Sequence, residues 1–212
     1  MTVIRGVIFD MDGVLIDARE WHYQALNQAL MLFGLTISRS EHLGEFDGLP
    51  TREKLRRLTL RNGLPSSLHA FINEMKQRYT MQLIGQHCWP VFEHQHALAS
   101  LRREGYQLAV ASNSIRDSIE MMLGRAQLLP YLNFYLSNED VQKGKPSPEI
   151  YLKAFSRLNL LPHECVVVED NPHGIAAARA SGAHVLSVQN PQDVTLQAIH
   201  HFIDQCQQEN NE

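Results

Sequence analysis

Apolar positions along the chain form short continuous runs and longer stretches at helical spacing, and their order outlines a fold. Val7-Ile8-Phe9 is a run of the kind that makes a buried strand. From about Arg19 to Phe33, Trp21, Ala25, Leu26, Ala29, Leu32 and Phe33 recur near helical spacing, and Gly34 offers a stop. A polar stretch leads to Pro50. Leu55 and Leu58 then mark a second helix ending at Asn62-Gly63. Pro65-Ser66-Ser67 opens a third, with Leu68, Phe71, Ile72, Met75, Tyr79 and Leu83 on its predicted inner face and Gly85 as its end. Residues 18–85 thus read as all helix.

After Pro90 the pattern changes to helix alternating with short β-rich runs. Helices are predicted near Glu93 to Glu104, Ile115 to Leu123, Pro148 to Leu158 and Gly174 to Ala180, and a polar one at the C-terminus. Between them lie strand-like Leu108 to Ala111, Asn133 to Leu136, Cys165 to Val168 and Val185 to Val188. Such βα alternation implies a parallel sheet with right-handed crossovers. The predicted architecture is an α/β, Rossmann-like parallel-sheet core made of residues 1–17 and 86–212. An all-helical cap, residues 18–85, is inserted after the first strand. The polar tail from Gln205 to Glu212 is expected to fray.

Composition narrows the function classes. With 212 residues, 44% of them apolar and 20% charged, the chain can bury one good core beside a small inserted domain. The formal net charge of -4, with no block of Lys and Arg to track phosphates along a groove, argues against nucleic acid as a partner. A small anionic substrate remains open. Cys88, Cys165 and Cys206 are odd in number and lack metal-type spacing, which suits reduced thiols. No run approaches 18 consecutive apolar residues and no signal-peptide pattern precedes the first strand, so the expectation is a cytoplasmic protein with no membrane partner.

Polar residues collect where strands end. Asp10 and Asp12 follow the first strand, Ser112 and Asn113 the second, Glu169 and Asp170 a later one. In a parallel sheet these ends share one edge, where ligands bind. In extended chain Asp10 and Asp12 share a face while Met11 turns into the core, and Gly13 lets the backbone leave the strand sharply. Carboxylates crowded there repel, at about 4 kcal/mol per pair for charges 4 Å apart in an effective dielectric near 20. A cation resolves this, and oxygen-only ligands favour a hard ion such as Mg²⁺. Lys145, in a loop before a helix, could reach the same edge and offset the charge of a phosphoryl group and a carboxylate nucleophile. Ser112 could hydrogen-bond a phosphoryl oxygen, with Asn113 adding its amide or a backbone donor. Asp17 is expected to cap the next helix or support the loop. Ser112 and Asn113 could also cap the helix after them.

These residues resemble the haloacid dehalogenase-like (HAD) phosphatases, in the helical-cap subgroup next to β-phosphoglucomutase. Asp10-Met11-Asp12-Gly13-Val14-Leu15 resembles the first motif, Ser112-Asn113 the second, Lys145-Pro146 the third, and Glu169-Asp170 with Gly174 the fourth. Four motifs in order, over nearly the whole chain, make the resemblance specific. It implies that Asp10 attacks phosphorus to form an aspartyl-phosphate, while Asp12 protonates the leaving oxygen and later activates water. It implies Mg²⁺ held by Asp10, the backbone carbonyl of Asp12, and Asp170, with Glu169 assisting directly or through the outer shell. Asp12 is neither the Tyr of similar dehalogenases nor the Ala of phosphonatases, which disfavours cleavage of carbon–halogen bonds and phosphonates. Asp17-Ala18-Arg19 departs from the usual Asp-Ser/Thr-Glu, and Asn171 stands where Ser is common.

In the cap, Gly48-Leu49-Pro50-Thr51-Arg52 resembles the family's specificity loop. Arg52 or Lys76 could hold a distal anionic group, and His22 could touch substrate at the hinge. The competing reading of those cations is a solvated helix face. The expected activity is a Mg²⁺-dependent phosphomonoesterase acting on a small phosphorylated metabolite, with the cap excluding water. A sugar-phosphate mutase reusing the same aspartyl-phosphate, and a non-catalytic phosphoacceptor, are the alternatives.

Overall fold

A computed structural model describes residues 3–209. The chain divides into two compact units, Met1–Asp17 with Trp89–Glu212, and Ala18–Cys88. The first contains a five-stranded sheet whose paired strands are all parallel, built from β1 (Gly6–Phe9), β2 (Gln107–Ala111), β3 (Phe134–Leu136), β4 (Cys165–Glu169) and β5 (His184–Ser187). The strand order is β3-β2-β1-β4-β5, so β1 is central, with β2 on one side and β4 on the other. An α/β parallel-sheet core and an all-helical unit are what the hydrophobic pattern predicts.

The helices in chain order are α1 (Arg19–Met31), α2 (Arg39–Glu41), α3 (Thr51–Asn62), α4 (His69–His87), α5 (Phe92–Arg103), α6 (Arg116–Arg125), α7 (Glu149–Leu158), α8 (Pro172–Ala180) and α9 (Leu196–Glu209). Continuous apolar runs form β1 and β4 because both sheet faces are covered and every residue of these strands is buried. Alternate residues Ile8, Ala109, Ala111 and Val167 meet Ile150, Ala154 and Phe155 of α7 and Ala177 and Ala178 of α8 in one cluster. Each such side chain removed from water contributes about 1.5–3 kcal/mol if it is the size of Val or larger. That core makes the sheet edge a rigid platform.

The smaller unit packs α1, α3 and α4 around Leu26, Leu30, Ile37, Phe46, Leu55, Leu58 and Ile72. Several expectations need correction here. The stretch before Pro50 is not simply polar connection. Ser38 and Glu41 form a reciprocal capping box that starts α2, and a π-helical turn, His42–Phe46, brings His42 and Phe46 inward. Asp17 does not cap α1: the N-cap is Ala18, which makes no side-chain bond, and Asp17 is exposed. Ser112 and Asn113 do not cap α6, whose N-cap is Ile115.

On α1 the buried residues are Ala25, Leu26, Ala29 and Leu30, while Leu32 and Phe33 are exposed. On α4 they are Ile72, Lys76, Thr80, Leu83 and Ile84, and Phe71 is exposed. An apolar-only criterion misplaces the stripe because two polar residues sit on it, Thr80 returning its hydroxyl to the Lys76 carbonyl at 2.8 Å. Gly85 does not end α4, which continues to His87. The tail forms helix through Glu209 because Ile199, Ile203 and Cys206 anchor α9, and the remaining residues expected to fray lie outside those described. No helix among the described residues is long and apolar enough to cross a membrane.

Candidate active site

Sheet register brings the polar strand ends together. Phe9 lies opposite Val110 on one side and Val168 on the other, so the next residues along each chain converge on Asp10. The Asp10 amide still donates to the Val168 carbonyl at 2.9 Å. The strand ends there, and the chain folds back at once. The Met11 carbonyl accepts from the amides of Val14, Leu15 and Ile16, and Gly13 N–H donates to Ile16 O at 2.7 Å. Gly13 takes φ +91°, a conformation that costs a residue with a Cβ. Met11 is buried and Asp10 nearly so, whereas Asp12 is half-buried.

Lys145 completes the cluster from another loop. Its Nζ donates to Asp10 Oδ1 at 2.6 Å, to Glu169 Oε1 at 2.6 Å and to the Ala111 carbonyl at 2.8 Å. An ammonium has three N–H groups, and all three are met. The loop is clamped on both sides. Asn113 Oδ1 accepts from Lys145 N at 3.0 Å and its Nδ2 donates to Lys145 O at 3.3 Å, while Glu149 accepts from the amides of Gln142 and Lys143. Gly144 must lack a side chain, since a Cβ would fall 2.7 Å from Asn113 Oδ1.

The acidic side of the cluster is as tightly held. Glu169 is wholly buried, and its Oε2 accepts from the Asp170 amide at 3.2 Å. A Cβ on Gly174, at the start of α8, would lie 1.9 Å from Glu169 Oε1, so glycine is required for the helix to come this close. Asn171 caps α8 by accepting from Gly174 N at 3.0 Å. Asp10, Glu169 and Asp170 each offer a carboxylate oxygen, all within 4.8 Å of one another.

Charge follows from that crowding. Burial pushes the Asp10 carboxyl well above the ordinary carboxylate range, Lys145 pulls it back in part, and Glu169, Asp170 and Asp12 push it further up. Burial alone would depress Lys145, yet Asp10 and Glu169 carry it above its usual value, so it keeps its proton. Three carboxylates within 4.8 Å of one another, two of them on one Lys, fit a hard divalent cation.

Of the predicted site residues, Asp10, Lys145, Glu169 and Asp170 meet directly. Asp12 and Ser112 lie at the same strand ends. Ser114, not anticipated, donates its hydroxyl to Asp12 Oδ2 at 2.7 Å, and its amide donates to Ser112 Oγ at 3.1 Å. It is the third residue of Ser112-Asn113-Ser114, and a second hydroxyl at a strand end was the available signal. Tyr151, also unanticipated, donates its hydroxyl to Glu169 Oε1. Burial, with Glu169 and Asp10 adding to it, raises that phenol well above 10.0, so the hydroxyl stays protonated. A buried tyrosine at helical spacing gives no sign of such a role.

The cap residues are arranged differently. Lys76 is buried in α4, not on a solvated face, and its Nζ lies 3.3 Å from His22 Nδ1 of α1. Arg52 is exposed on α3, while its neighbour Lys54 is buried. His42 is 1% exposed, and neither of its ring nitrogens has a hydrogen-bond partner. Burial, then Lys54, lowers its pKa from 6.5 to about 4.

Comparison with known proteins agrees with the four motifs. A sequence model of haloacid dehalogenase-like hydrolases matches residues 7–188. A phosphorylated carbohydrates phosphatase of Thermotoga maritima is 31% identical over 182 residues, covering 84% of this chain and 82% of that protein. A fructose-1-phosphate phosphatase of Escherichia coli is 27% identical over 184 residues, covering 86% and 95%. Among solved structures, β-phosphoglucomutase of Clostridium difficile shares the fold with a TM-score of 0.82 at 21% identity, over 96% of this chain and 98% of that one.

Proposed function

This chain belongs to the haloacid dehalogenase-like hydrolase family, and from that premise we propose a Mg²⁺-dependent phosphomonoesterase that works through an aspartyl-phosphate on Asp10. Its substrate is a small phosphorylated metabolite, a sugar phosphate or a similar ester. The observation that carries the reading is Lys145 bridging Asp10 and Glu169 at 2.6 Å each, in a buried cluster of three carboxylates.

In this reading Asp10 Oδ attacks phosphorus. Asp12, oriented by Ser114, gives a proton to the departing oxygen and then takes one from the water that cleaves the acyl phosphate. Lys145 and the Ser112 hydroxyl face the phosphoryl oxygens, while Asn113 holds the Lys145 backbone and lends a main-chain N–H. Asp10, Asp170 and the Asp12 carbonyl would hold Mg²⁺, with Glu169 beside them. When bound, the ion neutralises the carboxylates and the incoming phosphoryl group. The free thiols Cys88, Cys165 and Cys206, all buried, suit the reducing cytoplasm.

Phosphate release from a panel of sugar phosphates, with Mg²⁺ or with a chelator, tests this. We expect turnover with Mg²⁺ only, and a loss of about 10⁴-fold or more in Asp10→Asn. Undiminished release by that variant would overturn the proposal. Conversion of β-glucose 1-phosphate to glucose 6-phosphate, primed by glucose 1,6-bisphosphate, would assign the mutase alternative instead.

A further inference from the structure

Helix α7 carries one buried polar group that the proposed chemistry does not use. Tyr151 is fully buried, and its hydroxyl reaches the same Glu169 oxygen that accepts from Lys145. Its ring also lies beneath that ammonium, with Lys145 Nζ 4.9 Å from the ring centroid. One side chain therefore touches both members of the buried pair, the anion through its hydroxyl and the cation through its π face. Packing alone does not call for this. Phenylalanine has nearly the same shape, and a buried hydroxyl is costly unless it is bonded.

The surroundings show why a fixed donor matters. Lys145 and Asp170 belong to loops, whereas Tyr151 stands on a helix anchored in the core by Ile150, Ala154 and Phe155. Glu169 has three donors around it: the Tyr151 hydroxyl and Lys145 Nζ on Oε1, and the Asp170 amide on Oε2. Tyr151 is the donor tied to the rigid interior. Its hydroxyl selects the Glu169 rotamer that keeps the carboxylate beside Asp10 and Asp170, within the 4.8 Å cluster.

We propose that Tyr151 is a positioning residue of this site, holding Glu169 and Lys145 in register so that the three carboxylates accept a divalent cation. The proposal rests on the phosphatase reading above.

The test is Mg²⁺ binding by calorimetry to the whole, substrate-free protein, comparing wild type with Tyr151→Phe and with Ile203→Val, a core change on α9, outside the cluster that anchors α7. Expected is about 10- to 100-fold weaker Mg²⁺ binding in Tyr151→Phe, with a matching rise in the Mg²⁺ needed for half-maximal activity and kcat largely restored at high Mg²⁺. Ile203→Val should lower the melting temperature and leave Mg²⁺ affinity unchanged. In wild type, the Tyr151 hydroxyl proton should give an exchange-protected downfield NMR signal that moves on adding Mg²⁺. This measurement stands even if the variant fails to fold. Wild-type Mg²⁺ affinity in folded Tyr151→Phe, an equal loss in Ile203→Val, or a hydroxyl signal indifferent to Mg²⁺ would each overturn the proposal. If wild type binds Mg²⁺ but releases no phosphate from any ester, the phosphatase reading fails while the Tyr151 result is still read from calorimetry.

Discussion

The sheet unit and the helical unit both bury titratable side chains, Lys145 with every N–H bonded in the first and His42 with neither ring nitrogen bonded in the second. In the sheet unit Lys145 meets two carboxylates at 2.6 Å and a carbonyl at 2.8 Å, and all its N–H groups are used. In the helical unit Lys76 lies 3.3 Å from His22, and His42 is buried against the Tyr23 ring with no hydrogen-bond partner for either ring nitrogen. A sheet delivers neighbours by register, so opposite charges can be set at fixed spacing. A helix bundle buries whichever residues share the inner face, and an imidazole such as His42 enters without a hydrogen-bond partner. The lesson is that removing Lys145 should harm the first unit, whereas replacing His42 by an apolar residue should help the second.

The largest effect expected is at Lys145. Lys145→Met leaves Asp10 and Glu169 facing each other without their cation, so stability should fall by about 3–5 kcal/mol, read by urea unfolding without metal. Mg²⁺ should restore part of it, and activity should be lost. An unchanged unfolding midpoint would contradict the picture of the sheet unit.

Next is His42, where the sign reverses. Its folded pKa of about 4 lies below the ordinary 6.5, so the unfolded chain takes up the proton first. Its contribution is present above pH 6.5 and is lost as pH falls towards 4, amounting to at most roughly 3 kcal/mol at 1.36 kcal/mol per pK unit. His42→Leu should flatten the stability profile across that window. A profile identical to wild type would remove the contrast between the units.

Gly174→Ala should cost about 1–3 kcal/mol, because the new methyl collides with Glu169. Mg²⁺ binding should weaken with it. The smallest effect belongs to the exposed pair of Arg56 and Glu53 on α3, 2.8 Å apart. Arg56→Ala should leave the thermal melting curve essentially unchanged.

Much of the sheet unit was legible because continuous apolar runs mark β1 and β4, and the polar residues just past them carry the candidate chemistry. Ser114 and Tyr151 were not legible as partners of Asp12 and Glu169. One lies 102 and the other 18 residues from the group it touches, and contact at that separation comes from folding. In the helical unit the Ser38 and Glu41 capping box was present as a motif, yet a polar composition hid the π-turn that carries His42 inward. Lys76 read either as a holder of a distal anion or as a solvent-facing cation, because its charge masked its place on the stripe of Ile72, Thr80 and Leu83.

Local sequence alone determined the strand runs, the helix spacing, the inserted helical block and the acidic strand ends, because periodicity and residue chemistry act over a few neighbours. Tertiary structure decided which of those ends meet. β1 sits between β2 and β4, and that order places Asp10 between Ala111 and Glu169 and lets Lys145 bridge them. It also decided that two lysines and a histidine lie inside the helical unit, since burial is set by the packing of whole helices and not by the polarity of a residue.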